Sequence, residues 1–188
     1  PKKIEVIPLG FDLEKFKTNK DVKRKEFRNK WNINDNEIAI GIIGRLVSIK
    51  NHQFFIDSIQ QILKKAEVPI RAFIVGDGEE KENLFKYLNL KKLDFTQDSK
   101  RATFQFTSWI EEIDVVNAGM DIICLCSLNE GTPVSLIEAQ ASGTPIVSTK
   151  TGGIENIVID NKSALLSENN DLNSFSNNLL TLINNPSK

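Results

Sequence analysis

The sequence predicts an α/β fold, in which a Rossmann-like parallel sheet is flanked by helices on both faces. Strand-like and helix-like segments alternate along the chain, and the strand-like segments are continuous apolar runs. Continuous apolar runs are typical of parallel strands, because helices cover both faces of such a sheet. The 188 residues are enough to bury a core, so we expect a single domain.

The strand segments are short β-rich runs that end at glycine or polar residues. They are predicted at 37–44, 69–76, 102–108, 121–127, 144–149 and 163–167. The helices between and after them place apolar residues on one face at helical spacing. They are predicted at 51–66, 79–90, 110–119, 133–142, near 154–158, and at 171–183.

The beginning of the chain does not follow this alternation. Residues 1–12 have the pattern of an extended entry segment with a turn, and residues 13–36 contain a charged helix. Phe27 and Trp31 are four positions apart in that helix, so we expect both side chains to face the sheet. The parallel α/β core is therefore predicted over residues 37–188.

Composition excludes several classes of function. The formal net charge of −1 carries no polyanion-binding signature, so nucleic acid is not the expected partner. No apolar run approaches the roughly 20 residues of a transmembrane helix, and no secretory signal is visible. The chain begins with Pro1 rather than Met, so we expect it to be a piece of a longer protein.

The two cysteines are expected to be buried thiols. Cys124 and Cys126 lie two positions apart in a predicted strand, which places both on one face but cannot join them in a relaxed disulfide. Free thiols fit a cytoplasmic location. Since His52 is the single histidine, the sequence predicts no metal site.

Unusual residues follow five of the predicted strands. In a parallel sheet these loops share one edge, which is where open α/β sheets bind ligands. Helices also begin at that edge, so free N–H groups and positive dipole ends converge there, and an anion is the expected ligand. The loops are Gly44-Arg45, Gly76 to Gly78, Ser108-Trp109, Ser127 to Gly131, and Thr149 to Gly153.

The loop after the first strand supplies two cations. Arg45 leaves the strand and Lys50 precedes the next helix, and both side chains are suited to binding phosphate. A solvated loop with two ordinary charges is the alternative interpretation. His52 is expected in the first helical turn rather than as a catalyst. Gly76 permits close ligand approach, and the absence of a GxGxxG pattern disfavours NAD.

The stretch 129–153 carries two glutamates. Thr132 is predicted to cap the following helix, with Pro133 at its first position. Glu130 then lies in the strand-end loop and Glu138 in the second turn, where carboxylates can accept hydrogen bonds from sugar hydroxyls. An exposed Glu138 on an amphipathic helix is the alternative. The helix N–H groups that could bind phosphate are those of Thr132, Val134 and Ser135.

In combination, these segments resemble a known family. The chain is similar to the C-terminal, nucleotide-sugar donor-binding domain of retaining glycosyltransferases of the two-domain GT-B architecture, family 4, also called glycosyl transferases group 1. The resemblance covers nearly the whole chain. It rests on "VIPLGFD" (6–12), "GRLVSIKN" (44–51), "VGDGEEKENL" (75–84), "EGTPVSLIEAQASGTPIVST" (130–149) and "GGIEN" (152–156).

The resemblance implies roles for individual residues. Arg45 and Lys50 would bind the donor diphosphate and stabilise it as the leaving group, Glu138 would bind the ribose, and Glu130 would lie near the sugar hydroxyls with a catalytic role. Main-chain atoms of Trp109 and Ile110 would hold the base. The donor-binding set implied by position is Gly44, Arg45, Lys50, Gly76, Trp109, Ile110, Glu130, Thr132, Val134, Ser135, Leu136 and Glu138. No metal or cofactor is implied, since the nucleotide sugar is a substrate.

The implied function is transfer of a hexosyl group from a nucleoside diphosphate sugar to an unidentified saccharide or lipid-linked acceptor, with retention and without a metal. Residues 1–12 would be the interdomain connector, and the preceding acceptor domain is absent, so the fragment is expected to be inactive alone. The parent would be cytoplasmic, with membrane association through the missing domain left open.

Two departures from the family pattern leave the donor open. Thr132-Pro133 stands where many relatives have Phe-Gly, and Leu9 replaces a common Asn. Two other functions also stay open. One is a GT-B relative with another reaction, such as a nucleotide-sugar epimerase or a phosphorylase. The other is a non-enzymatic α/β interaction module, because architecture alone does not determine function.

Overall fold

A computed structural model describes residues 10–185. The predicted parallel sheet is confirmed, and it has seven strands in the order β3-β4-β2-β1-β5-β6-β7. Every neighbouring pair of strands is parallel. The strands are β1 (Ile38–Ile43), β2 (Ile70–Val75), β3 (Phe95–Thr96), β4 (Phe104–Ser108), β5 (Ile122–Leu125), β6 (Ile146–Thr149) and β7 (Leu165–Ser167).

Helices cover both faces of the sheet, as the continuous apolar runs of the strands predict. They are α1 (Glu14–Lys17), α2 (Lys20–Lys30), α3 (His52–Ile62), α4 (Lys81–Leu90), α5 (Ile113–Gly119), α6 (Val134–Ser142) and α7 (Leu172–Asn184). One hydrophobic core lies between the sheet and α3, α4 and α7, and it contains both free cysteines. The other lies between the sheet and α2, α5 and α6.

The strand order reverses direction at β1. The chain builds outward from β1 through β2 and β4 on one side, and then through β5, β6 and β7 on the other. Consecutive crossovers therefore leave β1 and β5 toward opposite faces, because the first core holds α3 and the second holds α6. Such a reversal opens a crevice at the carboxyl ends of the two strands, which is the usual ligand position in open α/β sheets.

The entry region packs on the sheet through aromatic side chains, as its spacing predicts. Phe27 and Trp31 are both buried, and their rings lie 5.4 and 6.3 Å from the ring of Phe73 on β2. The predicted single helix over 13–36 is, however, two helices. Asn19, with a φ of 53°, separates α1 from α2, because a left-handed residue cannot continue a right-handed helix.

Other differences concern element ends. Strand β3 was not predicted, because it has two residues within a charged segment and gains its order only by pairing with β4. Helix α5 begins at Ile113 rather than 110, and α3 ends at Ile62 rather than 66. The predicted connector falls outside the described residues except for 10–12. Between residues 10 and 185, no helix has the length and apolar character needed to cross a membrane.

Candidate functional site

The loops at the carboxyl edge are bonded to one another across the crevice. The N–H of Leu46 donates to the carbonyl of Asp77 over 2.9 Å, and the N–H of Leu128 donates to the carbonyl of Ile49 over 2.8 Å. The hydroxyl of Thr151 donates to the carbonyl of Leu128 over 2.9 Å. The loops that follow β2, β1, β5 and β6 therefore form one continuous rim, as the parallel sheet predicted.

Two predicted site residues meet at the centre of this rim. Lys50 Nζ lies 2.5 Å from Glu130 Oε1, and the side chains keep only 24% and 10% of their exposure. Lys50 ends the 3₁₀ turn Ser48–Lys50 after β1, whereas Glu130 belongs to the loop after β5. A Cβ at Gly44 would lie 3.6 Å from Lys50 Cε, so the lysine stem lies over this glycine. The crevice thus brings together a cation and an anion that are 80 positions apart.

Arg45 is the second cation of the rim. Its side chain is exposed, and within residues 10–185 it forms no ion pair or side-chain hydrogen bond. Of the two predicted cations, Lys50 is therefore paired with a carboxylate, and Arg45 is available to an incoming anion.

Gly76 allows the loops after β1 and β2 to touch. A Cβ at Gly76 would overlap the carbonyl oxygen of Gly44, and a Cβ at Gly78 would overlap the backbone of Leu46. Gly76 has a φ of 139°, which glycine adopts readily, and its nearest neighbour is the backbone of Gly44. This contact holds the start of the Arg45 loop in place.

A polar cluster that the sequence did not single out lies beside this contact. Asp77 accepts hydrogen bonds from the N–H of Gly78 at 2.8 Å and from Lys81 Nζ at 2.9 Å. The bond from Lys81 is the largest cause of a lowered pKa of the Asp77 carboxyl. Lys81 also donates to Ser108 Oγ over 3.2 Å. The four-residue spacing of Asp77 and Lys81 was a usable signal for the pair, whereas the contact with Ser108 required the fold.

Trp109 and Ile110 follow β4 at the same edge. Ser108 has a φ of 56°, which turns the chain sharply, and its carbonyl accepts from the N–H of Gly76 over 3.0 Å. Trp109 emerges with 62% of its surface exposed, and Ile110 is half-buried. The turn leaves a large aromatic side chain uncovered at the rim, on the β2 side of the crevice.

The backbone of Glu130 rests on the double glycine after β6. The N–H of Gly153 donates to the carbonyl of Glu130 over 2.9 Å. A Cβ at Gly152 would overlap that carbonyl oxygen, and a Cβ at Gly153 would overlap the carbonyl oxygen of Gly131. The sequence contains the "GG" pair but assigns it no role. The structure shows that it positions Glu130.

The start of α6 differs from the prediction. Thr132 is exposed and does not cap the helix, and Pro133 is the N-cap residue, so the first helical residue is Val134. No side chain caps this end, because proline offers none that can accept a hydrogen bond. The N–H of Leu136 already donates to the carbonyl of Pro133 over 3.1 Å. The N–H groups of Thr132, Val134 and Ser135 donate to no backbone acceptor in the described region, so all three remain available to an anion.

Glu138 lines a hollow beside the entry segment. It is half-buried, and burial is the largest cause of a raised pKa of its carboxyl, which Lys15 partly opposes. The hollow holds about 290 Å³ and its wall contains Glu138 but not Arg45, Lys50 or Glu130. The rest of the wall comes from the entry segment and α1, at Gly10, Phe11, Asp12, Leu13, Lys15 and Phe16. Glu138 thus lies beside the entry segment and α1, whereas Lys50 and Glu130 meet at the rim.

His52 lies in the first turn of α3, as predicted. It is the first residue of α3 and is 3% exposed, and no acidic side chain accepts from it within residues 10–185. Burial and the nearby Lys50 lower the pKa of its imidazole from 6.5 to about 4. Across residues 10–185, no group of three or more His, Cys, Asp or Glu side chains could hold a metal ion.

The fold and the rim define a class of protein. The seven-stranded parallel sheet flanked by helices is Rossmann-like and matches solved structures of GT-B glycosyltransferases. The chain belongs to the family of glycosyl transferases group 1, whose family model matches residues 23–188. This family membership confirms the predicted resemblance to glycosyl transferases group 1.

Curated relatives of this chain are named glycosyltransferases. The UDP-Gal:alpha-D-GlcNAc-diphosphoundecaprenol alpha-1,3-galactosyltransferase of Escherichia coli is 34% identical over 188 residues, which cover 96% of this chain and 45% of that protein. The D-inositol 3-phosphate glycosyltransferase of Corynebacterium urealyticum is 29% identical, over 90% of this chain and 40% of that protein. The chain thus spans about half the length of the curated relatives it matches.

Solved structures share the fold. HepE of Anabaena in complex with UDP and glucose superposes with a TM-score of 0.84 at 22% identity, over 97% of this chain and 48% of HepE. The C-terminal domain of the group 1 glycosyl transferase LpcC of Francisella tularensis gives a TM-score of 0.74 at 23% identity. That alignment covers 93% of this chain and 88% of the LpcC domain.

We expect Gly152→Ala to disturb the Glu130 loop. Gly152 has a φ of 51°, and an added Cβ would overlap the carbonyl oxygen of Glu130, so the free energy of unfolding should fall by about 1–3 kcal/mol. Urea denaturation measures this change. Gly131→Ala is the matched control, because its Cβ meets no atom within 4 Å. Equal stability of the two variants would contradict the role assigned to Gly152.

We expect His52 to make stability depend on pH. Its folded pKa of about 4 lies below the unfolded value of 6.5, so the unfolded state takes up the proton first as the pH falls. The free energy of unfolding should therefore decrease from pH 6.5 toward pH 4, by up to about 3 kcal/mol. Urea denaturation of the native chain and of His52→Gln isolates this effect, since the chain has no other histidine. An unchanged slope in the variant would refute the assignment.

Proposed function

We propose that this chain is the donor-binding domain of a retaining, family 4 glycosyltransferase. The parent enzyme would transfer a hexosyl group from a nucleoside diphosphate sugar to an acceptor held by a preceding N-terminal domain. The observation that carries the proposal is the rim at the β1–β5 reversal, where Lys50, Glu130, the exposed Arg45 and the start of α6 follow two neighbouring strands. Membership in glycosyl transferases group 1 supports the same function.

The cations of the rim would bind the diphosphate. Arg45 can bind two phosphate oxygens at once and Lys50 supplies a point charge. The free N–H groups at the start of α6 add a third source of positive potential. In the reaction, negative charge develops on the departing phosphate, and donors already fixed in place stabilise that charge without reorganising.

The two glutamates would bind different parts of the donor. Glu130 lies beside Lys50 and is assigned to the sugar hydroxyls, with a catalytic role through that contact. Glu138, which lines the hollow beside the entry segment and α1, is assigned to the ribose. The main chain around Trp109 is assigned to the base.

A UDP-sugar is the first donor to test. HepE, with a TM-score of 0.84, was crystallised with UDP and glucose, and another HepE structure holds UDP-glucose. The Escherichia coli relative carries UDP-Gal and a diphosphoundecaprenol in its name. These names support a UDP-sugar donor and a saccharide or lipid-linked acceptor.

The cations of the rim favour a mechanism that retains the anomeric configuration and needs no metal ion. The bond between the anomeric carbon and the phosphate oxygen breaks, and the acceptor oxygen bonds to the same face of that carbon. The acceptor proton passes to the departing phosphate, which assists the attack. Positive charge from Arg45 and Lys50 would take the place of a metal ion, and no cofactor besides the donor substrate is needed.

The position of the chain within its parent follows from the same assignment. The parent would have an acceptor domain in addition to this chain. It would be cytoplasmic, with peripheral contact to the membrane through the acceptor domain. The isolated chain should therefore bind the donor but transfer nothing.

We expect Arg45→Ala to weaken UDP binding by about tenfold, because it removes a charge-assisted contact that is partly screened at an exposed site. Isothermal titration calorimetry of the 188-residue chain with UDP, GDP and ADP measures this change. Lys64→Ala removes one exposed positive charge beyond the far end of α3 and should leave affinity unchanged. Absence of saturable binding by all three nucleotides, or equal affinity in the two variants, would contradict the proposed function.

We expect the full-length parent to transfer the sugar with its anomeric configuration retained, and to keep its activity in EDTA. Proton NMR of the product reports the anomeric configuration, and a chelator titration reports the metal requirement. Release of an epimerised sugar would instead favour an epimerase, and use of inorganic phosphate as acceptor would favour a phosphorylase. An inverted product or loss of activity in EDTA would overturn the mechanism.

A further inference from the structure

The ion pair between Lys50 and Glu130 is more than an ordinary surface contact. The Nζ to Oε1 distance is 2.5 Å, and the glutamate side chain is only 10% exposed. Solvent screens such a pair less than an exposed one, so its charges interact more strongly than those of a typical surface salt bridge. In the free domain, the ammonium of Lys50 is therefore already paired with the Glu130 carboxylate.

Backbone contacts hold both partners of the pair in place. Next to Lys50, the carbonyl of Ile49 accepts from the N–H of Leu128 over 2.8 Å. On the other side, the carbonyl of Glu130 accepts from the N–H of Gly153 over 2.9 Å. The loops after β1, β5 and β6 thus fix the carboxylate against the ammonium, rather than leaving two flexible chains to meet at the surface.

Arg45 provides the contrast. It lies five positions before Lys50 on the same loop, yet it is exposed and has no acidic partner within residues 10–185. An arriving diphosphate can bind Arg45 at once. To reach Lys50, it must compete with the carboxylate that already binds the ammonium.

We propose that Glu130 acts as an internal competitor for the diphosphate, and that donor binding is an exchange of partners. A phosphate oxygen replaces the Glu130 carboxylate on Lys50, and the released carboxylate accepts a hydrogen bond from a hydroxyl of the donor sugar. The proposal rests on the proposed function and deepens it, because it assigns Glu130 a part in donor selection. No covalent step is involved.

The exchange distinguishes the nucleotide sugar from the bare nucleoside diphosphate. A bare diphosphate displaces Glu130 and leaves the carboxylate without a cationic or hydroxyl partner, beside the phosphate charge. The nucleotide sugar offers the displaced carboxylate a hydroxyl donor, and an unpaired polar group costs more than a paired one. Glu130 therefore weakens binding of the product nucleotide more than binding of the donor, which favours release of the product after transfer.

Calorimetry with UDP and UDP-glucose on the 188-residue chain tests the exchange. Glu130→Gln keeps the shape of the side chain and removes its charge, so UDP should bind about tenfold tighter, whereas UDP-glucose should gain less or lose affinity. In the Lys50→Met background, Glu130→Gln should increase UDP affinity little, because there is no ammonium for the carboxylate and the phosphate to compete for. Glu155→Gln is the matched control, since it removes an exposed charge from the 3₁₀ turn after β6 and should change neither affinity.

Several outcomes would overturn the exchange while the proposed function stands. One is that Glu130→Gln binds UDP no more tightly than the native chain. Another is that its gain in UDP affinity is as large in the Lys50→Met background, or is matched by Glu155→Gln. The last is that Glu130→Gln gains as much affinity for UDP-glucose as for UDP. If the native chain binds neither ligand, and binds GDP and ADP no better, the proposed function itself fails.

A second measurement needs no variant. The side-chain carboxyl carbon of Glu130, followed by NMR in the native chain, should shift as UDP saturates the site. Saturation without a shift would mean that the ion pair persists, which would overturn the exchange even if Glu130→Gln did not fold.

Discussion

The reversal of strand order between β1 and β5 is the constraint on which the site depends. Both strands run in the same direction, so their carboxyl ends lie together, while their crossovers leave toward opposite faces. The rim between them is therefore open, and the side chains that follow the two strands can meet across it. Lys50 and Glu130 meet in this way although 80 positions separate them.

The glycines of the rim keep it narrow. At Gly76 and Gly152 a Cβ would overlap a carbonyl oxygen of the neighbouring loop, so backbone packs directly on backbone. Hydrogen bonds such as that from Gly153 to Glu130 then fix the separation of the loops. As a result, the charged side chains have little positional freedom, which is what a preorganised site for a phosphate requires.

Charge is distributed unevenly around this narrow rim. The carboxylate of Glu130 neutralises Lys50, whereas Arg45 projects into solvent and the start of α6 keeps two free N–H groups. Burial also raises the pKa of the Glu138 carboxyl, which lines the hollow beside the entry segment and α1. The rim thus combines a paired cation, an exposed cation and free N–H groups within a few residues of two neighbouring strands.

The sequence by itself determined the fold class, the approximate positions of six of the seven strands, and the edge at which the site lies. Apolar runs and strand-end glycines are local signals, and the parallel arrangement places every strand end together. Only the tertiary structure paired Lys50 with Glu130, gave the double glycine its role and placed Glu138 beside the entry segment. It also left Thr132 outside α6 and divided the entry helix at Asn19. Those features depend on which loops pack against each other, and no local pattern of residue types encodes the distance between two loops that are far apart in the chain.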